Sequence, residues 1–234
     1  MKSRREPLYA AILLFCVFVL YFSLFYLHGK EYYLVSLVII LSGIILFMLN
    51  FENRKPSVAE LTIIAVMCAL AVVSRVSFFF LPEVKPIAAV VIITGISLGA
   101  ETGFITGALS AFVSNFYFGQ GSWTPFQMFA LGLVGFFAGV LFRKIPVNKW
   151  FLGIYGVLSV LVLYGGIVDI NTLFYYGGDN TWQAICAVYG AGFFMNLMFG
   201  ISTAVFLFLL HKPVLNKLTR VKRKYRLIEE DREK

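Results

Sequence analysis

"PIAAVVIITGISLGAETGFITGALSAFVSNFYF", Pro86–Phe118, is a run of 33 mostly apolar residues whose one charged side chain is Glu101. As a single helix it would extend about 50 Å at 1.5 Å per residue, well beyond a hydrocarbon core of roughly 30 Å. The run therefore has to turn, and the sequence predicts the turn at "LGAETG", around Glu101. Two helices follow from this, Pro86–Ala100 and Gly103–Phe118. Gly95, Gly99, Gly103, Gly107 and Ala111 recur every fourth residue, and Gly135 and Gly139 repeat the spacing further on. Such rows let helix backbones approach closely.

Comparable apolar runs recur on both sides. Of the whole chain, 60% is hydrophobic and 14% charged, against about a quarter charged in a soluble domain. The fold class is an all-α integral membrane protein with eight transmembrane helices. They are Leu8–Leu27, Tyr33–Phe51, Leu61–Phe80, Pro86–Ala100, Gly103–Phe118, Pro125–Phe142, Trp150–Val168 and an overlong Trp182–Leu210. The first is too long for a signal-peptide core, and no small-residue cleavage site follows it in "YLHGKEYY". Cys16, Cys68 and Cys186 all fall in apolar runs and are expected as core residues.

Basic residues set the orientation. With the N-terminus inside, the cytoplasmic side collects Lys2, Arg4, Arg5, Arg54, Lys55, Arg143, Lys144, Lys149 and the basic residues of the tail, while the exterior receives Lys30 and Lys85. By the positive-inside rule both termini are cytoplasmic, in the plasma membrane. The net charge of +8 reflects this asymmetry and calls for no nucleic acid. In the tail, Leu215, Leu218, Val221, Tyr225 and Ile228 fall at helical spacing between basic residues. That pattern suits a helix on anionic membrane lipid, or one docked on a cytoplasmic partner.

Several chemistries lack their residues. There is no phosphate-binding glycine loop followed by Lys-Ser/Thr. His28 and His211 stand apart on opposite faces, so neither a metal site nor a catalytic set is expected, and no cofactor. No span carries a carboxylate near its middle, which counts against an ion-coupled carrier. The chain is not expected to be an enzyme.

The polar residues collect on the outer side instead. "YFGQGSWTPFQM", Tyr117–Met128, joins two spans there. Thr124 as N-cap, Pro125 at the first helical position and Gln127 form a capping-box pattern. This is either a capped turn with Trp123 as interfacial anchor, or one in which Gln120 and Trp123 also face a ligand. "VDINTLFYYGGDNTWQ", Val168–Gln183, is expected as a second outer loop. Its Asp169, Asn171, Tyr175, Tyr176, Asp179 and Trp182 offer stacking area and hydrogen bonds, or else an interfacial belt. "LPEVKP" adds Glu83 and Lys85. Arg75, inside a span near its outer end, either snorkels to the interface or joins the pocket, which Asn115 also borders.

The residues "ELTIIAVMCALAVVSR", a Pro-bearing loop, and "GISLGAETGFITGALSAFVSNFYFGQGSWTPFQM" together resemble the substrate-specific S component of energy-coupling factor (ECF) transporters. The phrase Gly-Gln-Gly-Ser-Trp-Thr-Pro-Phe-Gln-Met is similar to a signature of its cobalamin branch. The resemblance implies a six-helix substrate-binding core over 57–211, preceded by a two-helix extension (1–56) and followed by a basic tail (212–234). It implies a vitamin captured from outside by Leu81–Pro86, Tyr117–Thr124 and Asp169–Trp182. It further implies contact of Ala65 and Ala69 with a transmembrane coupling subunit, and two cytoplasmic ATPases that supply the energy. A corrinoid suits the wide aromatic mouth, as does a smaller aromatic vitamin. A non-transporting membrane scaffold and a stand-alone carrier are the competing readings.

Overall fold

The computed structural model describes residues 32–53, 55–176 and 182–225; the expected span Leu8–Leu27 lies outside them. The described elements are α1 (Tyr32–Asn53), α2 (Val58–Ser77), α3 (Ile87–Leu98), α4 (Ala100–Phe118), α5 (Thr124–Leu141), α6 (Lys149–Leu158), α7 (Gly166–Tyr176) and α8 (Trp182–Lys224). A π-helical segment, Ser159–Gly165, joins α6 to α7 in one rod.

The long apolar run turns at one residue. Gly99 has φ 101° and ψ 167°, a conformation that a side chain would strain. The turn thus falls within the expected "LGAETG" stretch, and Glu101 lies in the first turn of α4, where a helix N-terminus tolerates negative charge. From Ile87 to Gly95 every residue of α3 is buried. This 12-residue helix needs no polar face because it is the centre of the bundle.

Around that centre the predicted glycine row becomes backbone contact. A Cβ at Gly95 would lie 2.1 Å from the Gly135 carbonyl oxygen, and one at Gly103 would lie 2.5 Å from the same atom and 2.7 Å from the Gly95 Cα. Gly107 abuts the Leu131 carbonyl and Gly139 abuts the Ala100 nitrogen in the same way. Thus α3, α4 and α5 cross with almost nothing between their main chains. Helix α1 docks on this unit through Phe47, stacked on Phe104 at 3.8 Å and edge-on to Phe136. Its Asn50 Nδ2 donates to Glu101 Oε1 at 2.5 Å.

Local signals explain the helix starts. Ser57 caps α2 by accepting the Glu60 N–H at 3.1 Å, and Asn148 caps α6 through the Trp150 N–H; both satisfy otherwise orphaned donors. The expected capping box at α5 does not form. Thr124 is already helical, Trp123 precedes it in helical conformation, and no side chain caps this end. The Thr124 hydroxyl has other partners, described below.

Four helical rods are long and apolar enough to cross a membrane: α2, α5, Lys149–Phe174 and α8. Leu37–Glu52 and Ile87–Leu98 are shorter apolar helices. An all-α membrane protein stands, but the described residues do not supply eight spans. Two further expectations change. The described part of Val168–Gln183 is helical, since α7 continues to Tyr176 and α8 begins at Trp182; residues 177–181 lie outside the described residues. Cys68 is buried as expected, whereas Cys186 is exposed, and Cys16 lies outside the described residues.

Helix α8 runs for 43 residues straight through Pro213, which has no N–H to offer the carbonyl four residues before it. As far as Val221 the tail's apolar residues pack on the bundle, whereas Tyr225 is exposed and Ile228 lies outside the described residues. Leu218 is buried in the core cluster, with Val214, Leu215 and Val221 packed against it. Lys222 Nζ donates to the Ser97 carbonyl at 2.5 Å, a favourable cation at the C-terminal end of α3.

The glycine contacts predict a sharp contrast. Gly103→Leu should cost at least about 3 kcal/mol through forced separation of the backbones and yield little folded protein. Gly190→Ala, where nothing lies within 4 Å of the new methyl, should be neutral or slightly stabilising. Thermal unfolding of the two purified variants in detergent checks both outcomes.

Candidate functional site

One end of the bundle gathers the polar side chains, and Arg75 is its anchor. The last turn of α2 carries this residue to α4, where Nη1 donates to Ser114 Oγ at 2.5 Å and Asn115 Oδ1 at 3.0 Å. Its guanidinium also lies 4.4 Å from the centre of the Phe118 ring, a favourable cation–π position. Arg75 is thus held by the bundle and does not simply reach for the interface.

Asn115, 1% exposed, passes the connection on. Its Nδ2 donates to Thr124 Oγ1 at 3.2 Å and to Gln127 Oε1 at 2.8 Å. Thr124 Oγ1 in turn donates to Gln120 Oε1 at 2.9 Å and accepts the Gly121 N–H. Gln120 Nε2 closes the circuit on the Phe112 carbonyl at 3.0 Å. The network ties α2, α4, the turn and α5 together, and it uses both amide hydrogens of Asn115. It also accounts for the lost capping box, because the Thr124 hydroxyl is spent on Asn115, Gly121 and Gln120. Trp123 folds its ring over Gly121, where an added Cβ would lie 2.5 Å from the indole.

The loop before α3 reaches the same end. Glu83 has φ 58°, a left-handed conformation that non-glycine residues seldom adopt. Its carboxylate pairs with Lys85 Nζ at 2.8 Å. The Lys85 backbone N–H donates to Ser202 Oγ at 3.1 Å, and its ammonium lies 5.5 Å from the Phe199 ring centre. The loop is therefore bound to α8.

Tyr164 joins these groups and was not foreseen. Its ring meets Phe199 edge-on at 5.1 Å, the same ring that lies beneath the Lys85 ammonium. It belongs to the π-helical segment, whose wider turn shifts the direction of the residues after it. An apolar run gives no warning of that widening, and a tyrosine within it resembles an interfacial residue.

On α7, Asp169 Oδ2 accepts from Asn196 Nδ2 at 3.0 Å. Gly192 leaves room for it, since a Cβ there would lie 2.5 Å from the same oxygen. Asp169 and Thr172 border a groove of about 550 Å³ against Ala184, Ala187, Val188 and Gly192 of α8. Asn171 does not share it. Two residues along a helix is about 200° of rotation, and Asn171 is buried with its Oδ1 unpartnered among the described residues. Trp182 is 75% exposed. The side chains of Tyr175 and Tyr176, and the whole of Asp179, lie outside the described residues, as does any meeting of that turn with the Trp123 turn.

On the flank of the bundle, Ala65 and Ala69 are exposed beside Leu61, Val66, Leu70 and Val73. The opposite side of α2, with Ile64, Met67, Cys68 and Ala71, is buried. Among the described residues no group of three His, Cys, Asp or Glu side chains is placed to hold a metal.

Comparison with known proteins gives one match. The model of the family described as "ECF-type riboflavin transporter, S component" covers residues 55–216, from just before α2 into α8. No curated protein and no solved structure matches the chain. The matched range begins after α1, and the family is the riboflavin type where the motifs suggested the cobalamin branch. With more than half of its length matched, the chain belongs to the family of ECF-type S components, membrane subunits of transporters and not themselves enzymes.

Proposed function

We propose that the protein captures riboflavin, or a closely related flat vitamin, at the Arg75 end of the bundle and passes it inward with a coupling subunit and two ATPases. The observation that carries this reading is the polar network at that end, in which Asn115 links Arg75 to Thr124 and Gln127 near the Glu83–Lys85 pair, in a chain of this family. The family's description names riboflavin. The 550 Å³ groove between α7 and α8 is lined by Asp169 but not by Arg75, Gln127 or Tyr164; its volume falls within the range of roughly 300–1,000 Å³ typical of pockets for drug-sized ligands. A flavin fits that scale better than a corrinoid, which is several times larger.

The roles divide by what each side chain already bonds. Asn115, Gln120 and Thr124 hold the site's frame. Both hydrogen bonds of Arg75 among the described residues use Nη1, which leaves Nη2 and Nε for a ligand. Asp169 and Tyr164 orient the polar edge of the ring, and the exposed Trp182 supplies apolar area. Glu83 and Lys85 close the first loop. The basic residues gathered at the other end support a cytoplasmic position for it by the positive-inside rule, and on this reading the site opens outward. Ala65 and Ala69 make a smooth strip for the coupling subunit's helix.

Flavin fluorescence titration of the purified chain should show saturable riboflavin binding that excess cobalamin does not displace. Asp169→Asn should weaken it roughly tenfold or more, the scale of a hydrogen bond to a charged group, with thermal unfolding unchanged. Displacement by cobalamin, or an unaffected Asp169→Asn variant, would overturn the assignment. Absence of any bound solute would favour the scaffold reading.

The partner strip has its own expected outcome. Ala65→Trp should abolish co-purification with the coupling subunit and ATPases while leaving riboflavin titration as it was. Equal loss of both would refute the assignment of that face. Uptake into vesicles containing this chain alone would point to a stand-alone carrier.

A further inference from the structure

The end of the bundle opposite Arg75 contains a second cavity, of about 640 Å³, at the α3–α4 break. Ser97, Gly99 and Glu101 border it on one side, and Arg143, Lys144 and Lys222 on the other. Three cations thus stand over one carboxylate. The Glu101 carboxylate already accepts from Asn50, and Lys222 already donates to the Ser97 carbonyl. Arg143 and Lys144 are exposed and form no ion pair with a described residue. The C-terminal end of α3 and the N-terminal end of α4 meet here at Gly99, so their opposite dipole ends offset each other and the field is set by the side chains. Apolar side chains, Ile96 and Leu98, form the adjoining wall.

A cationic recess with a greasy wall at the end of a membrane bundle has a specific complement. A soluble anion would use the cations and waste the wall. A phospholipid uses both, its phosphate on the basic residues and its glycerol and first methylenes on the apolar side. Basic pockets between helices at this depth are suited to anionic headgroups. We propose that the cavity seats the phosphodiester of an anionic phospholipid, held by Arg143 and Lys144 with Lys222 as the fixed third cation.

Native mass spectrometry of the full chain in mild detergent tests this, with phosphatidylglycerol or phosphatidylcholine added. Phosphatidylglycerol should remain bound at activation energies that strip phosphatidylcholine. The double substitution Arg143→Gln/Lys144→Gln should lower its retention roughly 10- to 30-fold, as expected for two cations near a charged surface. Lys149→Gln, at the same end but outside the cavity, should leave retention unchanged, which separates a site from a general loss of charge. Unchanged retention in the double variant, equal retention of the zwitterionic lipid, or displacement by millimolar inorganic phosphate would each overturn the lipid assignment. The last result would assign the recess to a soluble phosphate. No solute binding enters the measurement, so its failure leaves the proposed transport role untouched.

Discussion

Main-chain contact among three helices is the constraint on which this structure depends. In lipid, association of helices gains little from the hydrophobic effect and rests on close packing. Gly95, Gly103, Gly107, Gly135 and Gly139 supply that closeness, each at a point where a methyl group would strike backbone. Gly99 makes it possible by reversing the chain within one residue. The remaining helices are laid around this unit: α1 by Phe47 and Asn50, α2 by its buried face, α8 along α3. The short α3 has no need to reach both surfaces because it is surrounded.

A rigid centre lets the polar end be specific. Each amide of the Asn115–Thr124–Gln127–Gln120 circuit meets a partner, and satisfied buried networks fix geometry where partial ones leave it loose. Arg75 is positioned by neutral acceptors and an aromatic face. Glu83 and Lys85 compensate each other nearby. The site therefore divides into a frame of saturated side chains and a smaller set, Arg75, Tyr164 and Asp169, with capacity to spare.

Much of this was legible in the residues. Periodic small residues announced close helix crossings because the physical requirement, absence of a Cβ, is itself a residue type. Arg75 and Asn115 stood out because polarity inside an apolar run demands a partner. What stayed hidden depended on partners distant in sequence. Thr124 looked like an N-cap since its neighbours fit the pattern, yet Asn115 and Gln120 claim its hydroxyl. Asp169 and Asn171 looked like loop residues since both are polar, yet Asn196 and a gap at Gly192 receive Asp169 inside the bundle. Tyr164 gave no signal because π-helical widening has no clear sequence signature. The glycine-rich turn marked the scaffold and not the solute: it resembled the cobalamin branch, whereas the family's description names riboflavin.

The unbroken α8 has a mechanical corollary. From Gly192, beside Asp169, to Lys222, against Ser97, the rod extends about 45 Å at 1.5 Å per residue. A beam of that length turns small angles into large excursions: a pivot of about 5° at one extremity sweeps the other through roughly 4 Å. Pro213 is the natural point of give, since a helix lacking one rung bends there in preference to elsewhere. Stiffness on the Gly192 side of that proline and compliance beyond it would transmit a widening at Asp169 most of the way down the molecule before the residue at the hinge absorbs the rest.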